Sequence, residues 1–510
     1  MIISLSVLVI TIIVSGTYAL YKAQLSKNIG VNTTTHGLAY YINYVKGTDI
    51  TAATLNPSTS YEGGASSDIE FWKKDDSYDI YGKIELTVNT IGTNLSNSPA
   101  LKYAVVNNGN VLKEGSLKGT TSGSKVTILK NLYLEQTKQI YTVYVWLDNS
   151  EELGNISNES LSISVDCTAS LQKEPTAADT IISLYTSAAK VTATNNSITY
   201  NTAPSVSLMN DRLGGTTTDL DGGNIRYYGA NPNNYIYFNC SDYSNQTSST
   251  CETWRIIGVF DGKLKLIKGS QIGTYSWDNK NISTGAEDDR GKNDWTTARL
   301  MKLLNPDDYY INDNNDKDSE GNYLGYSLYY NSASGMCFTD EGVNYSACDF
   351  TSTGIKNDET RNMIAETTYN LGGWNDTGVY PNEIYEYERG TTVYTGRPTT
   401  WTGKIALAYP SDYGYAADLN QCKQTLANYD NSTCTSNNWM KAIITDNGSN
   451  HGWLLTPDSS YSYVAWYSHG NVGEYFTGAA RGAVPVLSLS SKLGIESGDG
   501  SSSNPYKLSA

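Results

Sequence analysis

Three close pairs of cysteines constrain this sequence more than any other feature. Six of the seven cysteines fall into pairs eleven or twelve residues apart. The pairs are Cys240 with Cys251, Cys337 with Cys348, and Cys422 with Cys434. The residues between each pair are rich in Ser, Asn, Thr, Asp and Gly, as in SDYSNQTSST, which is typical of exposed loops. We therefore predict three local disulfides, each closing a short loop.

Disulfides of this kind persist in oxidising compartments, so we expect the chain to be secreted or exposed on a cell surface. The competing interpretation is a metal site, but Cys-x2-Cys spacing is absent and the histidines His36, His451 and His469 do not lie near the pairs. The unpaired Cys167 is expected to be a buried, small hydrophobic side chain.

Composition narrows the classes of partner. The formal net charge of −16 argues against nucleic acid as a partner, because phosphate binding needs clustered Lys and Arg. Tyr occurs 41 times against six Phe, so most aromatic side chains carry a polar tip suited to half-exposed strands and contact surfaces. A chain of 510 residues is expected to form more than one domain.

The N-terminal residues 1–24 are predicted to be a signal peptide or a membrane anchor. Residues 2–14, IISLSVLVITIIV, form an uncharged apolar run, and Thr17-Tyr18-Ala19 has the small-x-small form of a cleavage site. An uncleaved anchor is the alternative, because the run extended to Tyr21 is barely long enough to span a bilayer. Basic residues follow the run and none precedes it, so we expect the natural start to lie upstream. We expect membrane contact only through this segment.

Residues 25–170 are predicted to form an antiparallel β-sandwich of the jelly-roll type. Apolar and polar residues alternate at 81–92, 124–134, 139–149 and 159–167, and Gly, Asn and Ser clusters separate these runs. Residues 171–200 are predicted to be a helical linker, with Thr176 and Asp179 spaced as a capping box.

The Gly16-Thr17-Tyr18-Ala19-Leu20-Tyr21 junction and the strand YTVYVWLDN resemble the TasA and camelysin family of secreted biofilm-matrix proteins. The resemblance implies a jelly-roll domain that polymerises by lending an N-terminal strand to its neighbour. A stalk-like sandwich that does not assemble is the alternative interpretation.

Residues 201–510 are predicted to form a larger α+β domain. Asp261-Gly262 between two apolar runs predicts a β-hairpin. The segments WRIIGVF, DWTTARLMKLLNP, HGWLLTP and GAVPVLSLSS resemble an uncharacterised domain of secreted Firmicutes surface proteins, and the loop-rich design is similar to the C-type-lectin-like fold. Where that domain has Gly-Val-Arg-Pro-Val, this chain has Gly482-Ala483-Val484-Pro485-Val486, with Arg481 as a nearby substitute.

The sequence does not predict an enzyme. None of the three histidines belongs to a recognised catalytic or zinc motif, although His451 and His469 flank Trp453 and Trp466 and are expected to share a pocket. A calcium site is the stronger chemical hypothesis, since Asp313, Asp316, Asp318 and Glu320 crowd oxygen ligands before Gly321. A solvated acidic loop without an ion explains the same residues.

A ligand site is predicted on loops of the second domain, where aromatic and amide residues are interleaved with Asp and Gly. Its candidate residues are Trp374, Asn375, Trp401, Trp439, Trp453 and Trp466. We expect a bacterial adhesion or recognition protein whose partner is an extracellular glycan or protein. The alternative is a structural subunit that self-assembles into an extracellular filament or biofilm fibre by donor-strand addition.

Overall fold

The computed structural model describes residues 23–25 and 41–509, apart from 53–54, 152, 154, 157–158, 216–221, 280–289, 340–344 and 449. The predicted cleavage site and apolar run lie outside the described residues. The chain divides into two compact units, Met1–Glu174 and Pro175–Ala510. No helix within the described ranges is long and apolar enough to cross a bilayer.

In its described residues the first unit consists mainly of strands, with one short α-helix, α1 (Thr93–Asn97). Its strands are β1 (Ala23–Leu25), β2 (Ile42–Val45), β3 (Ile50–Thr51), β4 (Pro57–Ser58), β5 (Ala65–Lys73), β6 (Tyr81–Ile91), β7 (Leu101–Asn107), β8 (Asn110–Ser116), β9 (Lys125–Tyr133), β10 (Ile140–Asp148) and β11 (Leu161–Ser170). They form a sheet of order β1-β11-β6-β9, with β3 also paired to β11, and a sheet of order β2-β5-β10-β7-β8, with β4 paired to β10.

The two sheets share one hydrophobic core and so form a β-sandwich. Alternate residues of β5 and β6 are buried, which places Phe71 of one sheet and Leu86 of the other in the same core. The strands predicted from alternation coincide with β6, β9, β10 and β11. Cys167 on β11 is fully buried, and this burial raises the pKa of its thiol.

The second unit contains twenty strands within its described residues. They are β12 (Val191–Asn195), β13 (Ile198–Ala203), β14 (Leu208–Asn210), β15 (Ile225–Tyr227), β16 (Tyr235–Phe238), β17 (Glu252–Phe260), β18 (Lys263–Lys268), β19 (Thr274–Ser276), β20 (Ser334–Phe338), β21 (Tyr345–Asp349), β22 (Thr367–Asn370), β23 (Thr400–Gly403), β24 (Ile405–Ala406), β25 (Gly452–Pro457), β26 (Val464–Ser468), β27 (Val472–Phe476), β28 (Ala480–Gly482), β29 (Val486–Ser488), β30 (Gly494–Ser497) and β31 (Lys507–Ser509).

Short helices accompany these strands. They are α2 (Ala177–Ser187), α3 (Arg299–Leu304), α4 (Asp358–Met363), α5 (Pro381–Glu388), α6 (Pro410–Tyr415), α7 (Ser432–Ser436) and α8 (Lys441–Ile444). The main sheet has the order β12-β13-β14-β15-β17-β18-β29-β24, with β16 paired to β17, and a five-stranded sheet has the order β19-β28-β25-β26-β27. The chain is therefore multidomain and β-rich, as its sequence predicts.

Helix α2 belongs to the second unit. Its capping box is formed as predicted, because the Thr176 hydroxyl accepts from the backbone N–H of Asp179 and the Asp179 carboxylate accepts from that of Thr176. Ile181 and Tyr185 are fully buried in the core of this unit. The segment predicted as a linker thus supplies core side chains, because its apolar face packs on that core.

The hairpin predicted at Asp261-Gly262 joins β17 to β18. Both residues have positive φ, 48° for Asp261 and 70° for Gly262, which is the geometry that favours Asp-Gly at a two-residue turn. This local signal correctly places the two longest neighbouring strands of the main sheet.

Candidate functional site

The three predicted disulfides are present in the second unit: Cys240–Cys251, Cys337–Cys348 and Cys422–Cys434. The metal alternative for these cysteines is therefore wrong. Cys337 and Cys348 lie on the paired strands β20 and β21, so this disulfide crosses a hairpin instead of closing an irregular loop. Three disulfides are typical of proteins that fold outside the cytoplasm.

Four of the six predicted ligand-binding side chains are core residues. Trp453 and Trp466 are fully buried, and Trp401 and Trp439 are 7% and 4% exposed. Each indole N–H donates to a backbone carbonyl, for example from Trp453 to Tyr275 at 2.9 Å. For these four the prediction of a ligand contact is wrong, because core packing and an internal hydrogen bond occupy both the ring and its polar atom.

Trp374 and Asn375 remain accessible. The half-buried Trp374 ring stacks on Tyr387 with a centroid distance of 3.7 Å, so one face of the indole is already covered. Asn375 is exposed, and its side-chain amide donates to the Ser460 hydroxyl at 2.8 Å. The structure therefore keeps two of the six candidates near solvent and does not gather the six into one cleft.

The predicted calcium loop is held by protein cations. Asp316 is fully buried, with one carboxylate oxygen 2.8 Å from Nε of Arg299 and the other 2.6 Å from Nζ of Lys302. The Tyr326 hydroxyl donates to the same carboxylate at 2.8 Å. These groups already compensate the Asp316 charge, which favours the alternative of an acidic loop without an ion.

The remaining predicted calcium ligands do not converge on one point. Asp318 accepts from the backbone N–H groups of Glu320 and Asn322, and hydrogen bonds of this kind lower the pKa of its carboxyl. Glu320 is exposed, and the backbone N–H of Asp313 donates to the Tyr326 hydroxyl. Within the described part of the chain, no group of three or more His, Cys, Asp or Glu side chains is placed to hold a metal ion.

A different set of side chains forms a continuous row of aromatic rings on β26, β27 and the neighbouring loops. Seven rings follow one another, with centroid distances from 3.9 to 6.3 Å between neighbours. We call this set the aromatic ladder; its members in order are Tyr461, Tyr463, Phe476, Tyr475, Tyr467, His451 and His469. Tyr461 and Tyr475 are 53% and 38% exposed, so the ladder is open to solvent.

The register of the sheet explains why these rings adjoin. Tyr467 on β26 lies opposite Gly473 on β27, and a Cβ atom at Gly473 would lie 3.1 Å from the Tyr467 ring. The glycine therefore leaves room for the tyrosine to lie across the neighbouring strand. On the other side Tyr467 pairs with Trp453, so the fully buried indole lies on the same face of the sheet as Tyr467. Rigid strands thus fix the positions of the exposed rings.

Two arginines lie against the ladder. The guanidinium carbon of Arg290 is 5.1 Å from the Tyr463 ring centre and 5.0 Å from that of Phe476, and its Nη1 donates to the Tyr463 hydroxyl at 3.0 Å. Arg481 lies between Tyr467 and Tyr475, at 4.0 and 4.2 Å from their ring centres. The surface is therefore aromatic and locally positive, although the whole chain is acidic.

The two histidines at one end of the ladder stack on each other. Their ring centres are 3.9 Å apart, and the His451 ring also lies parallel to Tyr467 at 5.1 Å. The expectation that they share one location is confirmed. Burial, and then the charges of Arg481 and His469, lower the pKa of His451 to about 4, so this imidazole is neutral at pH 7.

A pair of carboxyl groups supports the other end. Asp458 is fully buried, and its Oδ1 accepts from the backbone N–H of Tyr461 at 2.8 Å, which fixes the start of the ladder. Glu474 on β27 lies beside Asp458; burial and this neighbouring carboxyl raise the pKa of Glu474 to about 7. Burial also raises the pKa of Asp458. The two groups are therefore expected to share a proton below that pH.

The sequence predicts a shared location for the two histidines, but not the tyrosines that extend the ladder from them. The signal was present in the segment YSYVAWYSHGNVGEYF, where aromatic residues recur across the segment that forms β26 and β27. The predicted ligand site consisted mainly of tryptophans instead, because large aromatic rings are common both in binding sites and in cores. Composition does not separate these two roles.

Comparison with known proteins does not assign this chain to a family. No protein-family model matches the sequence, and no curated protein matches it. Two solved structures are weakly similar. A crystal structure of an HCR/D mutant has 11% identity and a TM-score of 0.15, and the match covers 53% of this chain and 76% of that chain. The receptor-binding domain of botulinum neurotoxin mosaic serotype C/D has 11% identity and a TM-score of 0.15, and the match covers 50% of this chain and 74% of that chain. At these TM-scores the likeness supports neither a fold nor a function.

Proposed function

We propose that this chain is a bacterial secreted or cell-surface protein that recognises an extracellular glycan through the aromatic ladder, without catalysing a reaction. The observation that carries the proposal is the ladder itself: seven neighbouring rings on β26, β27 and their loops, of which Tyr461, His469 and Tyr475 are exposed. The unit that carries the ladder contains three disulfides. The apolar N-terminal segment is the proposed export signal or anchor.

The chemistry of the ladder suits sugar rings. A tyrosine face packs on the apolar C–H face of a sugar, and the phenol hydroxyl and histidine nitrogens hydrogen-bond its hydroxyls. Exposed aromatic patches of this extent are unusual on surfaces that contact only water. Because the rings are mounted on strands, little conformational entropy is lost when a ligand binds.

Retention of the oxidised, purified chain on a broad glycan array tests this function. We expect binding to a restricted set of glycans, and loss of that binding in the double variant Tyr461→Ala/Tyr475→Ala. Tyr345→Ala is the matched control, since Tyr345 is 44% exposed on β21 and is not a member of the ladder. Equal binding by all three proteins, or no retention on any glycan while an extracellular protein binds, would overturn the proposal.

A second candidate function is a subunit of an extracellular filament or biofilm fibre, in line with the resemblance to the TasA and camelysin family. The observation that favours it is β1, a three-residue strand that pairs with β11 from Ala23 opposite Ala169 to Leu25 opposite Cys167. The same pairing made with a neighbouring chain would constitute donor-strand addition. Negative-stain microscopy should then show fibres that Gln24→Pro abolishes, because proline removes a strand N–H. A chain that stays monomeric at high concentration contradicts this candidate.

A further inference from the structure

Arg481 differs from the other arginines in its lack of a partner. Four arginines of the second unit form ion pairs: Arg226, Arg299, Arg361 and Arg389. Three more donate side-chain hydrogen bonds: Arg255, Arg290 and Arg397. Among the residues that the structure describes, Arg481 has neither an ion pair nor a side-chain hydrogen bond, and its Nε atom is buried without an acceptor.

The surroundings of Arg481 leave its charge uncompensated. Its guanidinium lies between the rings of Tyr467 and Tyr475, with Trp453 at 5.6 Å. Ring faces stabilise a cation less than a carboxylate does, and a half-buried cation without a counterion has lost part of its hydration. Tyr467 and Tyr475 therefore position the Arg481 guanidinium without neutralising its charge. This arrangement is suited to binding an anion.

The position of Arg481 also bears on how an anion would bind. The Tyr467 and Tyr475 rings are nearly perpendicular, with 82° between their planes, and the Arg481 guanidinium lies close to both without an acceptor oxygen from either. A guanidinium without an internal acceptor can bind two oxygens of a carboxylate or a sulfate as a bidentate pair. His451 is held beside β28, because the backbone N–H of Gly482 donates to the His451 carbonyl at 2.7 Å.

His451 has a polar atom without a partner in the same place. Its Nδ1 is buried and makes no hydrogen bond with the described residues, and its ring stacks between Tyr467 and His469. A buried imidazole nitrogen normally has a partner, because leaving it unpaired costs free energy. The unpaired groups of Arg481 and His451 thus both occur next to the Tyr467 ring, and the charge of Arg481 is near enough to act on the His451 imidazole.

We propose that Arg481, with His451 beside it, forms an oxyanion subsite of the aromatic ladder, so that the recognised glycan is an acidic one carrying a carboxylate or a sulfate. This inference rests on the proposed function and names its ligand class. The rings of Tyr467 and Tyr475 contact the sugar next to the acidic group, and the guanidinium of Arg481 binds the two oxygens. The positive subsite also selects against neutral glycans of the same shape.

Equilibrium binding to four matched probes tests the subsite. The probes are an oligosaccharide of alternating glucuronic acid and N-acetylglucosamine, the same oligosaccharide with its carboxyls reduced to alcohols, a sulfated derivative of the reduced form, and an N-acetylglucosamine oligomer of equal length. We expect the wild type to bind the carboxylate or the sulfate probe at least about tenfold more tightly than the two neutral probes, as a charge-assisted hydrogen bond implies. Which acidic probe binds distinguishes carboxylate from sulfate.

Variants assign the effect to Arg481. Arg481→Gln should reduce the preference for the acidic probe by about tenfold or more, and Arg481→Lys should retain part of it, because Lys keeps the charge and loses the bidentate geometry. Lys492→Gln removes one charge from a side chain outside the ladder and serves as the control. Thermal unfolding checks that each variant is folded, and the comparison of probes on the wild type stands without any variant.

The outcomes separate this inference from the proposed function. Equal binding of acidic and neutral probes by the wild type, unchanged in Arg481→Gln, overturns the subsite and leaves glycan recognition in place. An acidic preference that Arg481→Gln does not alter also overturns it. If the wild type binds none of the four probes and no glycan on the broad array, glycan recognition fails and the subsite fails with it.

Discussion

Nη1 of Arg226 lies 2.9 Å from Oδ1 of Asp412, and both side chains are 1% exposed. Asp412 also pairs with Lys265, and Arg226 with Asp211, so two cations and two carboxylates form one buried network. The network joins β15 and β18 of the main sheet to the first turn of α6. The network therefore links the main sheet of the second unit to α6.

Loss of Asp412 is predicted to destabilise the second unit strongly. Asp412→Ala leaves Arg226 and Lys265 as buried cations with one carboxylate fewer, and we expect the free energy of unfolding to fall by about 3–5 kcal/mol. Chemical denaturation measures it. The control is Asp358→Ala, which breaks a pair with Arg361 at a position 88% exposed and should cost less than about 1 kcal/mol. Similar losses in both variants would contradict the buried role of the network.

The three disulfides predict a peptide map, and they predict a loss of stability when one of them is removed. Proteolytic digestion without reduction should yield three disulfide-linked peptide pairs: Cys240–Cys251, Cys337–Cys348 and Cys422–Cys434. Cys167 should be a free thiol that reacts only after unfolding, since it is fully buried. The double variant Cys422→Ala/Cys434→Ala should lose about 2–3 kcal/mol, because a loop of this length is no longer closed in the unfolded chain. A different pairing, or rapid labelling of Cys167 in the native protein, contradicts the structure.

The Asp458 and Glu474 pair predicts a stability that falls as pH rises. The pKa of Glu474 is raised to about 7 in the folded chain, against an ordinary value of 4.5. The folded state therefore binds this proton more tightly than the unfolded state. Its contribution is complete below pH 4.5 and is lost as the pH rises through about 7.

Denaturation of wild type and Glu474→Gln between pH 4.5 and 8 measures this effect. Because Gln keeps a hydrogen-bond donor and does not titrate, the variant should show a smaller decline near pH 7 than the wild type. Part of the decline should remain, because burial also raises the pKa of Glu388 to about 7. The Glu62→Gln variant, in the first unit, is the control and should keep the full decline. A wild-type curve that rises over this range, or a Glu474→Gln curve with an unchanged slope, argues against a shared proton.

His451 is predicted to titrate well below an ordinary histidine. Its pKa is lowered to about 4 by burial and then by Arg481 and His469, so its ring resonances should change only below about pH 5 in an NMR titration. Arg481→Gln removes one of the two neighbouring charges and should raise the pKa of His451. A value near 6.5 in the wild type, or no change in the variant, contradicts the arrangement of these side chains.

The parts of the fold that could be predicted from the sequence depend on short-range sequence patterns. The cysteine pairs, the Asp261-Gly262 turn, the Thr176 cap and the alternation of β6 and β10 each depend on residues within about a dozen positions. The network of Arg226 and Asp412 joins residues 186 positions apart, and no local pattern encodes it. The same limit applies to burial. Trp453 and Trp466 are core residues because of distant partners, and Asp316 holds Arg299 and Lys302 where an acidic loop alone had indicated calcium.

Binding of one array-selected glycan to wild type, Tyr461→Ala/Tyr475→Ala and Tyr345→Ala, measured by calorimetry, tests the central claim most directly. We predict that the ladder variant binds at least about tenfold more weakly than the wild type, as the loss of central aromatic contacts implies, and that Tyr345→Ala binds as the wild type does. A ladder variant with wild-type affinity, in a protein that unfolds at the wild-type temperature, would contradict the assignment of the aromatic ladder as the recognition surface.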